Sequence, residues 1–522
     1  MNPGSLQSYS LTVDKFLDHA AKWHPRGEVV TATDDGATTR ATYADVRARA
    51  QGISARLAEL GVKAGDTVAT LAWNSQSHVE VWYAAMGMGA VCHTLNPRLT
   101  AETSAAMVRQ SGARVLVASA DLAGMAMAIV DEASDITALL IIDGVSGTLP
   151  SLTPLPGASV RWGQFDENLP CGLCFTSGTT GDPKGVTYTH RGNYLHTLRM
   201  LQASVGGFCE PDPVLVAVPM FHANAWGLPF AVPAVGGKLV LPGRHLDGAS
   251  LAALIRQEGV TVAVGVPTVW LGLFDHLDAN DLAVPSLRRI MVGGAPMPSA
   301  LMERIEARGI EVQTTWGMTE LSPLGTSTAP GAERRDPSIS GKPAVGVDLS
   351  ITDASGVPLA DQRDAEGHLW VKGPSVVDRY LGQDAQATRD GWFPTGDLAR
   401  IDHDGNLTLT GRSKDLIKSG GEWINPAQIE AAVATHPDVA NAAVVGREDD
   451  KWGERPILLV ELVEGADPTD TALLEPVRGA CASWWVPDAV IRLPAMPLAA
   501  TGKIDKLRLR EEFGRDRSAA LR

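Results

Sequence analysis

Cysteine is scarce in this chain: five residues in 522, namely Cys92, Cys171, Cys174, Cys209 and Cys481. An odd number spread so thinly excludes a disulfide framework and suits a reducing compartment. Cys171 and Cys174 have C-x-x-C spacing, but no second pair accompanies them. Their segment, Leu169 to Phe175, reads as a buried strand rather than a zinc or redox site. Positive charge is also short, with 45 Lys and Arg against 60 Asp and Glu and a formal charge of -15. That balance argues against nucleic acid and other polyanion partners, while leaving room for an anionic small molecule in one local cleft. No apolar run approaches the roughly 18 to 20 residues that span a bilayer. The N-terminus, with Asp14 and Lys15 in its first weakly apolar stretch, lacks the basic-then-apolar order of a secretory signal. The expectation is a cytoplasmic protein without a transmembrane segment. Internal repeats and low-complexity tracts are missing too.

Hydrophobic residues make up 44% and charged residues 20%, which suits a folded chain with a large interior. Its length is about three to four times that of a single domain, so more than one packed unit is expected. Residues 43–60 place apolar side chains at helical spacing, with Gly61 as terminator. A strand over 66–71 and a helix over 79–88 follow. Further strands are expected at 114–117, 138–142, 214–218 and 260–264, a rhythm that favours α/β architecture with largely parallel sheets. After Trp316, Gly, Asp and Pro punctuate shorter strands such as 368–372 and 406–410, which suggests a β-rich subdomain. Asn425-Pro426 opens a helix, AQIEAAVATH, before strands at 440–445 and 457–462, an α+β unit. Beyond Lys506, alternating charges with Leu507, Leu509 and Phe513 read as a solvated amphipathic helix.

The densest chemical signal is TSGTTGDPKGV over 176–186, directly after the apolar strand CGLCF. Its glycines let successive backbone N–H groups turn toward an anion, the hydroxyls add donors, and Lys184 supplies a movable cation. This suits polyphosphate. The order does not match G-x-x-x-x-G-K-[ST], so the P-loop reading fails. A plain glycine-rich turn would explain Gly178 and Gly181 but not the hydroxyls or the lysine.

With this loop go GGAP over 293–296, TWGMTE over 315–320, TGDL over 395–398, GRSKDLIKSGGEWI over 411–424 and TGKI over 501–504. In this order and at these spacings the chain resembles the adenylate-forming superfamily, in its long- and medium-chain acyl-CoA synthetase branch. The resemblance implies a large N-terminal domain, residues 1–411, with α/β sheets and a β-rich subdomain, and a small mobile α+β domain, residues 412–522. It implies that ATP phosphates are held by Thr176, Ser177, Gly178, Thr179, Thr180, Gly181 and Lys184. Gly293, Gly294, Ala295 and Pro296 would flank adenine, with Trp316 beside it and Asp397 and Arg412 on the ribose. Thr319 would contact the reacting phosphate, Glu320 would ligate Mg²⁺, and Lys503 would be the adenylation lysine. Lys414 takes the place of the hinge between half-reactions. Ser419, Gly420 and Gly421 match the loop lining the tunnel for CoA. Related long-chain enzymes are often dimers, so a homodimer is included among the expectations.

The implied chemistry joins a carboxylate to AMP, releasing pyrophosphate, and then passes the acyl group to CoA, releasing AMP. Like charges meeting at about 4 Å cost on the order of 1 kcal/mol in water and about 4 at an effective dielectric of 20, so cations must offset them. Residues 218–230, VPMFHANAWGLPF, resemble the fatty-acid branch: His222 matches the histidine beside the carboxylate and Trp226 the tryptophan gating an acyl tunnel. Val266, Pro267 and Trp270 would complete an apolar channel, each methylene contributing about 0.8 kcal/mol. Core packing is the competing role for both tryptophans. A fatty or similarly apolar acid is expected. A bulky or heteroatom-bearing acid of secondary metabolism, or a noncatalytic acyl or nucleotide sensor, are the alternatives.

Overall fold

In a computed structural model, the structure describes residues 7–176, 183–332, 335–499 and 503–515. The chain divides into two compact units, Met1–Asp348 with Lys372–Phe393, and Leu349–Val371 with Pro394–Arg522. Residues on both sides of the expected 411/412 boundary lie in the second unit.

The first unit contains two sheets. One has the strand order Ala138–Ile142, Val115–Ser119, Thr67–Leu71, Val91–Thr94, Pro170–Thr176, Lys184–Thr189. Its neighbours are parallel until the last pair, which is antiparallel. In the other, Arg289–Val292, Val262–Gly265, Pro213–Val216, Lys238–Leu241 and Glu28–Ala32 form a parallel centre. Strands of this kind are buried on both faces, which is why they read as unbroken Val, Ile and Leu runs.

The connecting helices start where side-chain caps allow. Tyr43–Glu59 begins at Thr42, whose side chain accepts from the Asp45 N–H while the Asp45 carboxylate accepts from the Thr42 N–H. Gln76–Gly87 starts earlier than its apolar spacing suggests, because Ser75 caps it through the His78 N–H. The parallel strands and their covering helices confirm the expected α/β architecture. The five cysteines are free, and burial pushes the Cys171 thiol up to about 12. Among the described residues no helix is long and apolar enough to cross a membrane.

Apart from the boundary residues Asp348, Lys372 and Phe393, the strands Asp348–Thr352, Glu366–Lys372, Phe393–Ile401 and Leu407–Arg412, neighbours in that order, belong to the second unit. Its other sheet centres on Val439–Asp449 paired with Gly453–Leu462. Alternation sorts that pair into two layers. Val444, Leu458 and Val460 pack with Ile429, Val433, Leu473 and Val477 of helices Pro426–Val433 and Asp470–Ala480. Ala443, Val445, Ile457 and Leu459 pack with Met496 and Leu509, the latter on helix Lys506–Phe513.

Candidate active site

In the first unit, the phosphate-loop sequence is flanked by two paired strands, Pro170–Thr176 and Lys184–Thr189. Thr176 and Lys184 are register partners on antiparallel strands, and the Thr176 hydroxyl donates to the Lys184 carbonyl at 3.4 Å. Ser177, Gly178, Thr179, Thr180 and Gly181 lie outside the described residues. Lys184 Nζ stands 5.0 Å from the centre of the Tyr380 ring, a cation–π distance. The Tyr380 hydroxyl donates to Glu320 Oε1 at 3.0 Å. One tyrosine therefore joins the cation at the loop to the expected metal ligand. Burial, and next the Glu320 carboxylate, push the Tyr380 hydroxyl well above its ordinary pKa, so it remains a donor.

The turn carrying Thr319 and Glu320 is buried and held from two sides. Tyr188 Oη donates to the Thr319 carbonyl at 2.8 Å, and the Val377 N–H donates to the Glu320 carbonyl at 2.7 Å. Among the described residues no group of three His, Cys, Asp or Glu forms a metal site. A hard oxygen donor such as Glu320 suits Mg²⁺, which is commonly bound through one or two carboxylates plus substrate phosphates.

Strand Arg289–Val292 is followed by Gly293 and Gly294, which lie against Trp226 and Val266. A Cβ on Gly293 would lie 2.4 Å from Thr315 Oγ1 and 2.9 Å from the Trp226 ring, and one on Gly294 would lie 3.4 Å from Val266 Cγ1. The structure therefore brings together the glycines expected beside adenine and the tryptophan expected at the acyl gate. Ala295 is half-buried and Pro296 exposed. Trp316, on strand Glu311–Gly317, is buried, and its ring packs over Gly325.

His222 and Trp226 are half-buried. Between and including Ala223 and Trp226, four consecutive residues have φ of 44°, 50°, 45° and 54°. The left-handed region costs an L-residue other than glycine about 1–2 kcal/mol, so this run persists only because its surroundings hold it. Val266 and Pro267 begin helix Pro267–Ala279. Trp270 has 0% exposure and packs over Gly265 in a core that includes Leu273 and Phe274, with no partner for its indole N–H among the described residues.

The second unit carries a separate charged cluster. Asp397 and Arg412 face each other in antiparallel register, with Arg412 Nε 2.8 Å from Asp397 Oδ1. Asp397 is 2% exposed, so the pair presents one buried carboxylate beside a half-exposed guanidinium. Lys503 is accessible at the surface, yet loss of hydration in its crowded surroundings is the largest influence on its ammonium. Repulsion from Arg412 adds to this and Asp397 opposes it, bringing the group down to about 8. Lys414 is also lowered, mainly by burial, with Arg412 and Arg510 adding to the effect.

Ser419 pairs with Glu422 across a hairpin whose two central residues, Gly420 and Gly421, have φ of 60° and 93°. Positive φ at both positions is the tight hairpin geometry that favours glycine. A Cβ on Gly420 would lie 2.7 Å from the Trp452 ring, the Gly420 N–H donates to the Trp452 carbonyl at 2.7 Å, and Arg455 Nη1 donates to Ser419 Oγ at 3.3 Å. Tyr188, Tyr380, Trp452 and Arg455 escape a reading by motif. Each is a single side chain reached through tertiary packing, with no local spacing to mark it.

Family models fit this arrangement in chain order. The AMP-binding enzyme model matches residues 17–381, and the AMP-binding enzyme C-terminal domain model matches residues 428–503. The 3-methylmercaptopropionyl-CoA ligase of Ruegeria lacuscaerulensis is 40% identical, covering 98% of each chain. The medium-chain-fatty-acid–CoA ligase of Ectopseudomonas oleovorans is 37% identical, over 98% of this chain and 97% of its own. The structure of o-succinylbenzoate CoA synthetase from Bacillus subtilis, in complex with the acyl-adenylate intermediate OSB-AMP, matches with a TM-score of 0.81. Its identity is 26%, over 97% of this chain and 99% of that one. With both models matched and relatives aligned nearly end to end, the chain belongs to the AMP-binding enzyme family, among its AMP-forming acyl-CoA ligases.

Proposed function

We propose that the protein activates an apolar, medium-length carboxylic acid, first as the acyl-adenylate and then as the CoA thioester. The contact of the Trp226 ring with the Gly293-Gly294 turn carries this reading. It puts an apolar side chain at the edge of the expected adenine site, where the acyl and nucleotide parts of an adenylate must meet. The thioether acid activated by the Ruegeria ligase is also apolar, so a heteroatom within the chain is compatible with the same channel.

In this reading Thr176 and Lys184 bind the ATP phosphates, and Tyr380 orients both Lys184 and Glu320. Magnesium, when bound with ATP, supplies positive charge against the entering carboxylate; Glu320 is the residue that would hold it. Thr319 contacts the α-phosphate and His222 borders the acid carboxylate. Asp397 and Arg412 bind the ribose, and Lys503 donates to the developing charge during adenylation. This is catalysis by positioning and electrostatic preorganisation rather than by a protein nucleophile. Residues 412–522 act as the mobile domain, with Lys414 at the hinge, and the Gly420-Gly421 turn packed on Trp452 borders the CoA thiol arm. Cytoplasmic location and a homodimer complete the reading.

The test is a panel of acids graded from four to sixteen carbons, with 3-methylthiopropionate included. Acid-dependent ATP–pyrophosphate exchange reports the first step and CoA-dependent AMP release the second. Best turnover with apolar acids of intermediate length is expected. Exchange without AMP release would remove CoA as acceptor, and no exchange with any acid would favour a sensor.

A further inference from the structure

Helix His190–Met200 continues directly from the strand carrying Lys184, and near its C-terminal end stands Arg199, a residue only 3% exposed. Arg199 Nη2 donates to Ser375 Oγ, which donates in turn to the Leu321 carbonyl at 3.1 Å. Ser322 Oγ donates to the Ser375 carbonyl at 3.0 Å. One turn back along the helix, His196 Nε2 accepts the Leu324 N–H at 3.2 Å. The stretch 321–324, directly after Thr319 and Glu320, is therefore pinned to this helix and to Ser375.

The rest of the guanidinium is unpaired. Arg199 Nε and Nη1 are buried and have no hydrogen-bond partner among the described residues. No carboxylate among them offsets the charge: burial alone acts on the group, bringing its pKa down to about 10, so it is still a cation at neutral pH. Water can satisfy N–H groups, but it does not supply the counter-charge that a buried cation needs.

There is room for that counter-charge beside Nη1. The Val347 N–H donates to the Ala344 carbonyl at 2.9 Å, closing a turn in which Gly346 has a φ of 89°. Such a position favours glycine, which leaves no side chain there. A Cβ on Gly346 would lie 3.9 Å from both Arg199 Nη1 and Pro374 Cδ, ordinary contact distances, so an added atom fits between them. Gly346 and Pro374 are exposed, which gives a small ion a way in from solvent.

We infer that Arg199, with the Gly346 turn as its mouth, binds one small monovalent anion, a halide or a simple carboxylate such as formate. The ion neutralises the guanidinium and so steadies the hydrogen bonds that run from it through Ser375 to the Leu321 carbonyl. No residue assigned above to acid, ATP or CoA is a ligand of this site, and the inference does not depend on the identity of the acid.

The test follows the melting temperature of the full chain as gluconate is replaced by chloride, or by formate, at one fixed ionic strength. A saturable rise of about 2 °C or more is expected in wild type, as for any ligand that binds only the folded state. Arg199→Met keeps an apolar stem without the charge and should lose the rise, and Gly346→Ala should raise the half-saturating concentration by about 5-fold or more. The more effective anion identifies the ligand as halide or carboxylate. Amide exchange over 319–324 should slow at saturating anion in wild type. In bromide-soaked crystals of the wild-type protein, anomalous scattering should place an ion in contact with Arg199 Nε or Nη1, a readout that holds even if the variants fold poorly. No rise with either anion, an equal rise in Arg199→Met, or bromide found only elsewhere would overturn the site. Unchanged exchange over 319–324 would overturn its part in steadying the turn.

Discussion

Tyr380 makes two different contacts with one side chain, and substitution can separate them. Tyr380→Phe keeps the ring beneath Lys184 but removes the hydrogen bond to Glu320. A hydrogen bond to a charged group is worth about 1.5–3 kcal/mol, so adenylation should slow by roughly 10- to 100-fold. The half-saturating acid concentration should stay unchanged, as read by pyrophosphate exchange. Lys503 carries a pH prediction. With its pKa lowered to about 8, it is a cation below that value and progressively neutral above it. Adenylation should therefore fall as pH rises through about 8. Lys503→Arg, which stays charged, should lose that descending limb even if it is slower. Lys503 was singled out in sequence by its TGKI motif. Tyr380 was not, because 60 residues separate it from Glu320 and no periodicity ties a lone tyrosine to a distant carboxylate.

Elements were read most reliably where composition and period agreed. The strand expected over 138–142 is observed at those residues. The helix opened by Asn425-Pro426 ends at Val433, short of the expected His436. Beyond it the Thr435 hydroxyl donates to the Ala432 carbonyl, a local bond that competes with helix continuation. Gly420→Val places a branched side chain at positive φ and against Trp452. It should impair CoA-dependent AMP release while leaving pyrophosphate exchange near wild type, and equal loss of both would remove this turn from the thiol step. Trp270 shows why a buried tryptophan is ambiguous in sequence: its apolar neighbours suit a channel or a core. Its complete burial over Gly265 predicts that Trp270→Ala costs about 3–5 kcal/mol in urea unfolding with little change in acid preference. Trp226→Ala should do the opposite, shifting the preferred chain length with only modest loss of stability.

At the scale of the whole molecule, the proposed roles divide the two half-reactions between different residues, so the steps should be separable. Lys503→Ala is expected to abolish adenylate formation from acid and ATP while still converting supplied acyl-adenylate and CoA to thioester. Equal survival of both steps would remove Lys503 from its role. The sequence alone determined the α/β class and the family, because hydrophobic period and motif order are properties of the linear chain. Only the tertiary structure decided which strands became neighbours, that Tyr380 bridges Lys184 and Glu320, that Trp226 rests on Gly293, and that His196 accepts from the Leu324 N–H far away in sequence. Those contacts depend on strand order and helix packing, which bring together residues separated by tens to hundreds of positions, and no local pattern records them.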